Sequence, residues 1–142
     1  MASNVRVVID PGVLVSAAIK PDGTPGRLLD EWRDDRFEMV VSPALLAELK
    51  GVLLRDKFRR YLSVDEVERF VALIRREAEL RADPEDIPRL SNDPKDDYLL
   101  ALGAATRVSL VISGDPHLTE LENARPPVMI PARFADLLHS GD

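Results

Sequence analysis

No cysteine occurs in the 142 residues, which removes both a disulfide framework and a thiolate metal site and leaves no pointer to export. Aromatic residues are scarce at 5%, and there are only two histidines. Positive charge is in the minority, with 19 Lys and Arg against 25 Asp and Glu, a formal net charge of -6. Such a chain does not coat DNA or an anionic membrane, because affinity for phosphate polymers comes largely from excess cations. Long apolar runs are also missing. Nothing approaches the roughly 20 residues of a membrane span, and the first residues do not read as a signal peptide. What is present is a 45% hydrophobic share, too high for disorder, on a length that suits one domain spanning 1–142. The expectation is a soluble, cytoplasmic, single-domain protein. Its excess acid is either a solvated surface or a set of carboxylates gathered in one place.

Strand and helix patterns alternate. β-branched runs at 5–9, 37–41 and 108–113, with a shorter one at 128–130, read as strands. Helices are expected over 13–18, around Leu28, Leu29 and Trp32, from Ser42-Pro43 to about Leu54, after the capping box Ser63–Glu66, over 93–106, and over 132–138. The acidic, proline-rich stretch 82–92 reads as a connector with room for one short strand, and His139 as a solvated side chain. This alternation implies an α/β fold with a mainly parallel central sheet and helices on both faces. Right-handed crossovers put the strand-to-helix turns, among them Asp10 and Asp115, along one edge, where open sheets of this kind build their sites.

Asp10, Asp93 and Asp115 each precede a proline and fit an ordinary N-cap, and Asp96 fits the acidic partner of a capping box headed by Asp93. Capping does not account for Asp97. It falls in line with Leu100, Ala101 and Ala104 on a helix that looks apolar nearly all round. Burying an unpaired carboxylate costs several kcal/mol, so something must compensate it. Glu48 sits at the border of the apolar stripe Leu45, Leu49, Val52 and Leu53; reaching out to water is its ordinary alternative. If Asp10, Glu48, Asp97 and Asp115 converge, each close pair repels by about 3–4 kcal/mol at an effective dielectric near 20. Such a pocket must take up protons or a cation. Oxygen ligands without cysteine or a histidine pair select Mg²⁺ or Mn²⁺, and an acidic pocket that meets a phosphate polymer through a divalent ion is a nuclease-like design.

Four segments carry a resemblance: Val-Val-Ile-Asp-Pro-Gly-Val-Leu-Val-Ser at 7–16, Val-Ser-Pro-Ala-Leu-Leu-Ala-Glu-Leu at 41–49, Asp-Pro-Lys-Asp-Asp-Tyr-Leu-Leu-Ala-Leu at 93–102, and Leu-Val-Ile-Ser-Gly-Asp-Pro-His-Leu at 110–118. In that order and spacing the chain resembles the PIN-domain family, specifically its toxin-type (VapC-like) ribonucleases, over residues 5–138. The resemblance implies a PIN-like three-layer sandwich and Mg²⁺- or Mn²⁺-dependent cleavage of single-stranded RNA. It also implies a homodimer and a cognate antitoxin. It assigns catalysis and metal binding to Asp10, Glu48, Asp97 and Asp115; Asp93 and Asp96 are extra acids nearby, read with Ser113 as supporting or capping residues. Arg55, Lys57, Arg59 and Arg60, interleaved with Phe58 and Tyr61, are the candidate RNA contacts, the alternative being a solvated turn.

The chain departs from the family pattern in one place. Asp10 is followed by Pro11-Gly12 where the family usually has Thr or Ser and then Asn, and losses around a metal's ligands typically cost ~10–100-fold. A second reading follows, of a PIN-fold binding module that no longer cuts. A phosphoryl-accepting α/β protein is a third, but it lacks the second Asp two residues after Asp10 and a Lys beyond the late strand. His117, two residues after Asp115, reads as a surface histidine in a first helical turn.

Overall fold

A computed structural model describes residues 5–140; the remaining ends of the expected 1–142 domain lie outside the described residues. Among the described residues there are five strands and seven helices. The strands are β1 (Arg6–Ile9), β2 (Glu38–Val41), β3 (Glu79–Leu80), β4 (Leu110–Ile112) and β5 (Val128–Met129). They form one all-parallel sheet in the order β3-β2-β1-β4-β5, with Val7 opposite Met39 and Leu110, and Ile9 opposite Ile112. The central strands read as continuous apolar runs because both faces are covered: Val7, Val8, Val40, Val41, Val111 and Ile112 have no measurable exposure.

The helices are α1 (Pro11–Ile19), α2 (Thr24–Arg33), α3 (Pro43–Leu53), α4 (Val64–Glu77), α5 (Pro94–Thr106), α6 (Pro116–Thr119) and α7 (Pro131–Ser140). Proline at the first or second position, behind a capping side chain, opens α1, α3, α5 and α6, and the Ser63–Glu66 capping box opens α4 with both reciprocal bonds present. The chain moves from β1 outward to β2 and β3 and then returns to the other side of β1. Right-handed crossovers therefore put α1 to α4 on one face of the sheet and α5 on the other, packed on β1 and β4. The strand order reverses at β1, so the crevice between the carboxyl ends of β1 and β4 is the natural place for a site. α7 closes against α2, with the Phe134 ring edge-on to Phe37 at 5.0 Å.

Two expectations are corrected. The short strand is Glu79–Leu80, pairing with Val40 and Val41 directly after α4, and the connector 82–92 carries no strand among the described residues. α5 is not buried all round, since Ala104 and Ala105 are exposed. His139 is exposed, as expected, and its ring nitrogen also bonds Glu31, joining α7 to α2.

At the opposite end of the sheet Arg6 spans β1 and β3, donating to both carboxylate oxygens of Glu79 (3.2 and 2.6 Å) and to the Thr106 carbonyl at the end of α5 (2.7 Å). The Arg6 hydrogen bond outweighs partial burial and holds the Glu79 carboxyl below its usual value.

Gly26 marks the tightest backbone approach. A Cβ there would lie 2.1 Å from the Pro21 carbonyl oxygen, and no side-chain rotation relieves a backbone clash. Gly26→Ala is expected to destabilise the fold by about 3 kcal/mol, lowering Tm by roughly 10 °C in a melting experiment.

Candidate metal centre

Three turns and two helices deliver acid to the carboxyl edge of the sheet. Asp10 follows β1 and caps α1, its Oδ1 accepting from the Gly12 N–H at 3.0 Å. Its Oδ2 accepts from the Ser113 hydroxyl at 2.8 Å, and the same Ser113 oxygen accepts from the Asp115 N–H at 3.1 Å. Ser113 is fully buried, so this one side chain fixes the spacing between the turns after β1 and β4. Asp115 caps α6 through the His117 N–H at 2.9 Å, and Asp93 caps α5 through the Lys95 N–H at 2.9 Å. Each capping bond uses Oδ1 and leaves Oδ2 of Asp93 and Asp115 outside it, whereas the Asp10 Oδ2 is held by Ser113.

Asp93, Asp96 and Asp115 each offer a carboxylate oxygen, and the three oxygens lie within 4.8 Å of one another. Asp96 is only 3% exposed, and its Oδ2 is buried with no hydrogen-bond partner. Burial, followed by the charges of Asp115, Asp93 and Asp10, pushes its carboxyl up to about 6, against a small opposing effect of His117. A buried oxygen without a donor, facing two further carboxylates, fits a hard divalent cation that accepts oxygen ligands. The helix N-terminus beneath it offsets only about 0.3–1 kcal/mol of the repulsion.

Asp10, Glu48, Asp93, Asp96 and Asp115 share one cleft of about 270 Å³, with Tyr98 in its wall and Arg55 and Lys95 at its edge. Glu48 reaches it from α3 across from the α1 and α5 starts, and is half-buried. Tyr98 ties the cleft to the connector. Its hydroxyl donates to Asp83 and bonds Ser42, the α3 cap, while Asp83 also accepts from the Ala44 N–H at 3.2 Å. Burial and the Asp83 bond push the Tyr98 hydroxyl up to about 12, so it stays a donor.

Asp97 is elsewhere. It is buried at 6% exposure, but its Oδ1 accepts from the Leu90 and Ser91 N–H groups at 2.9 and 2.7 Å, and it does not line the cleft. Burial alone would raise its carboxyl; the bonds from Leu90 and Ser91, with the Arg89 charge, outweigh burial and hold it below the usual value. The compensation that the sequence demanded for Asp97 is thus a loop backbone, and the expected convergence of Asp97 with Asp10 and Asp115 is corrected to Asp96. The signal for Asp96 was its spacing from Asp93: residues three apart share a helix face. The Asp83–Tyr98–Ser42 network left no pattern in the sequence.

The basic segment is divided. Arg55 lines the cleft, while Lys57 and Arg60 lie over the Phe58 and Tyr61 rings at 5.0 and 4.9 Å. Arg59 turns inward to donate to the Leu53 carbonyl at the end of α3 and so caps a helix instead of facing solvent. No helix among the described residues is long and apolar enough to cross a membrane.

Residues 6–117 match the PIN domain family. The chain is 40% identical over 58 residues to the uncharacterized protein MJ1680 of Methanocaldococcus jannaschii; the match covers 41% of this chain and 37% of that protein, little more than a third of its length. The fold is similar to a chain in the crystal structure of VapBC2 from Rickettsia felis bound to a promoter DNA fragment (TM-score 0.61, 10% identity, 89% of this chain and 98% of that one). It is also similar to PAE2754 from Pyrobaculum aerophilum (TM-score 0.60, 9% identity, 96% and 90%). With the family matched over most of its length and an acidic centre at the carboxyl edge of a parallel sheet, the chain belongs to the PIN-domain family of nucleases.

Proposed function

We propose that this chain is a Mg²⁺- or Mn²⁺-dependent endoribonuclease, the toxin of a toxin-antitoxin pair, hydrolysing phosphodiester bonds of single-stranded RNA. The observation that carries the reading is Asp96, a buried carboxylate with an unpartnered oxygen beside Asp93 and Asp115. Those three would hold the ion, with Asp10 and Glu48 completing the acidic ring; Asp96 takes the part expected of Asp97. When bound, such an ion steadies charge on a phosphate and acidifies water. Ser113 and the Gly12 N–H hold both oxygens of Asp10 in place, doing the orienting that Pro11-Gly12 had put in doubt. Glu48, which also lines the cleft, would take a proton from the attacking water. Arg55 and Lys95 draw a polyanion to a pocket that would otherwise repel it, and Lys57 and Arg60 with their rings extend that path. The likeness to a VapBC2 chain supports a cognate antitoxin partner. A homodimer and a cytoplasmic location belong to the same reading.

The purified protein is expected to cut end-labelled single-stranded RNA with MnCl₂ or MgCl₂ and to stop in EDTA. Intact RNA with both ions would remove the reading. The pH dependence has a definite sign. Asp96 is protonated below about 6 and a cation needs the ionised form, so Mn²⁺ affinity, read by titration calorimetry, is level above pH 7 and falls by about tenfold per pH unit below 6.

A further inference from the structure

The acidic cluster borders three hollows: the cleft, one of about 450 Å³ reached by Asp10 and Asp115 alone among the acids, and a third on the side of the 89–93 wall. Beyond the cleft, Asp93 and Asp96 also line this third one, of about 740 Å³ and within the size range of small-molecule sites. Its other walls differ in chemistry: Arg89, Asn92 and His117 supply polar groups, and Leu90 and Leu121 supply apolar surface. The wall at 89–93 is held rigidly. Leu90 and Ser91 are pinned through their N–H groups to Asp97, and the Ser91 hydroxyl donates to the Asp93 carbonyl at 2.9 Å. On that fixed backbone the Leu90 side chain stands 60% exposed, while Leu121 packs partly against the core.

We propose that this hollow is a nucleobase subsite, taking the base next to the phosphate held at the acidic cluster. The inference rests on the nuclease reading and adds what that reading leaves open, the site's means of choosing a sequence. Because Asp93 and Asp96 line both the cleft and this hollow, a phosphodiester centred on the cluster leaves one of its flanking nucleosides next to this hollow. The ring lies against Leu90 and Leu121. The Asn92 amide, donor and acceptor at once, reads the base edge, and the Arg89 fork donates to a ring carbonyl or nitrogen. Only an unpaired base can enter, which makes the subsite specific for single strands.

Nucleoside 5′-monophosphates carry no phosphodiester to cut, so they probe the subsite directly. In saturating MnCl₂, calorimetry is expected to show at least one of the four binding about tenfold or more tightly than ribose 5-phosphate, which has the same phosphate and sugar but no base. Asn92→Ala and Leu90→Ser each bring that nucleotide down toward the ribose 5-phosphate level, with the Mn²⁺-induced rise in Tm intact. The subsite is overturned if no nucleotide exceeds ribose 5-phosphate or if the advantage survives both substitutions. RNA cleavage without any base advantage fells the subsite alone; failure to bind either Mn²⁺ or a phosphate compound fells the nuclease reading with it.

Discussion

Asp96→Asn is expected to move stability and function in opposite directions. In EDTA the variant melts roughly 5 °C above the parent, MnCl₂ no longer raises its Tm, and RNA cleavage falls at least about a hundredfold. The reason lies in the cost of ionising Asp96. Its carboxyl is pushed up to about 6 in the fold against an ordinary value of 3.8, so at neutral pH the charge costs the cation-free protein about 2–3 kcal/mol. For the same reason the penalty is relieved as pH falls through 6 toward 4, and the cation-free protein gains stability there from this group. An Asn amide carries no charge and can donate to Asp93 and Asp115, which lie beside it. Removing the buried oxygen's charge also removes the ligand. Differential scanning fluorimetry in EDTA and in MnCl₂, beside an RNA cleavage assay, reads all three effects. A variant that melts lower in EDTA while keeping its Mn²⁺ response would refute the assignment of Asp96 to the metal.

The neighbouring residue should behave in the contrary way. Asp97→Ala is expected to lower Tm by roughly 5 °C or more, because it strands the Leu90 and Ser91 N–H groups that end on its Oδ1. It also frees the 89–93 wall, so activity falls as a consequence of lost position. Asp97→Asn keeps an oxygen that accepts both bonds. It is expected to stay near the parent in Tm and in Mn²⁺ response and to retain cleavage within about tenfold. Asp96→Asn and Asp97→Asn therefore make a matched pair, identical in chemistry and one position apart. Loss of the Mn²⁺ response in the second and not the first would return the metal to Asp97.

The contrast between these neighbours also marks how far the site was legible in the amino-acid order. Asp10 and Asp115 were legible because each ends a β-branched run at an Asp-Pro, and a parallel sheet delivers such turns to one edge. Glu48 was legible as a carboxylate on the border of an apolar stripe, and it does face the cleft. Arg59 was not. Nothing in a run of cations distinguishes the one that bends back to the Leu53 carbonyl from the three that do not. β3 escaped because two residues carry no periodicity; its pairing with Val40 and Val41 exists only once β2 is in place.

Local patterning, then, determined the succession of elements, the parallel sheet and the crowding of acid along its carboxyl edge, since apolar runs, caps and proline breaks act over a few residues and need no distant partner. Only the tertiary structure decided which acid enters the pocket. Adjacent positions on a helix differ by about 100° in direction, and both Asp96 and Asp97 are buried. What separates them is the loop at 90–91, whose backbone N–H groups close on Asp97 and leave Asp96 to face Asp93 and Asp115.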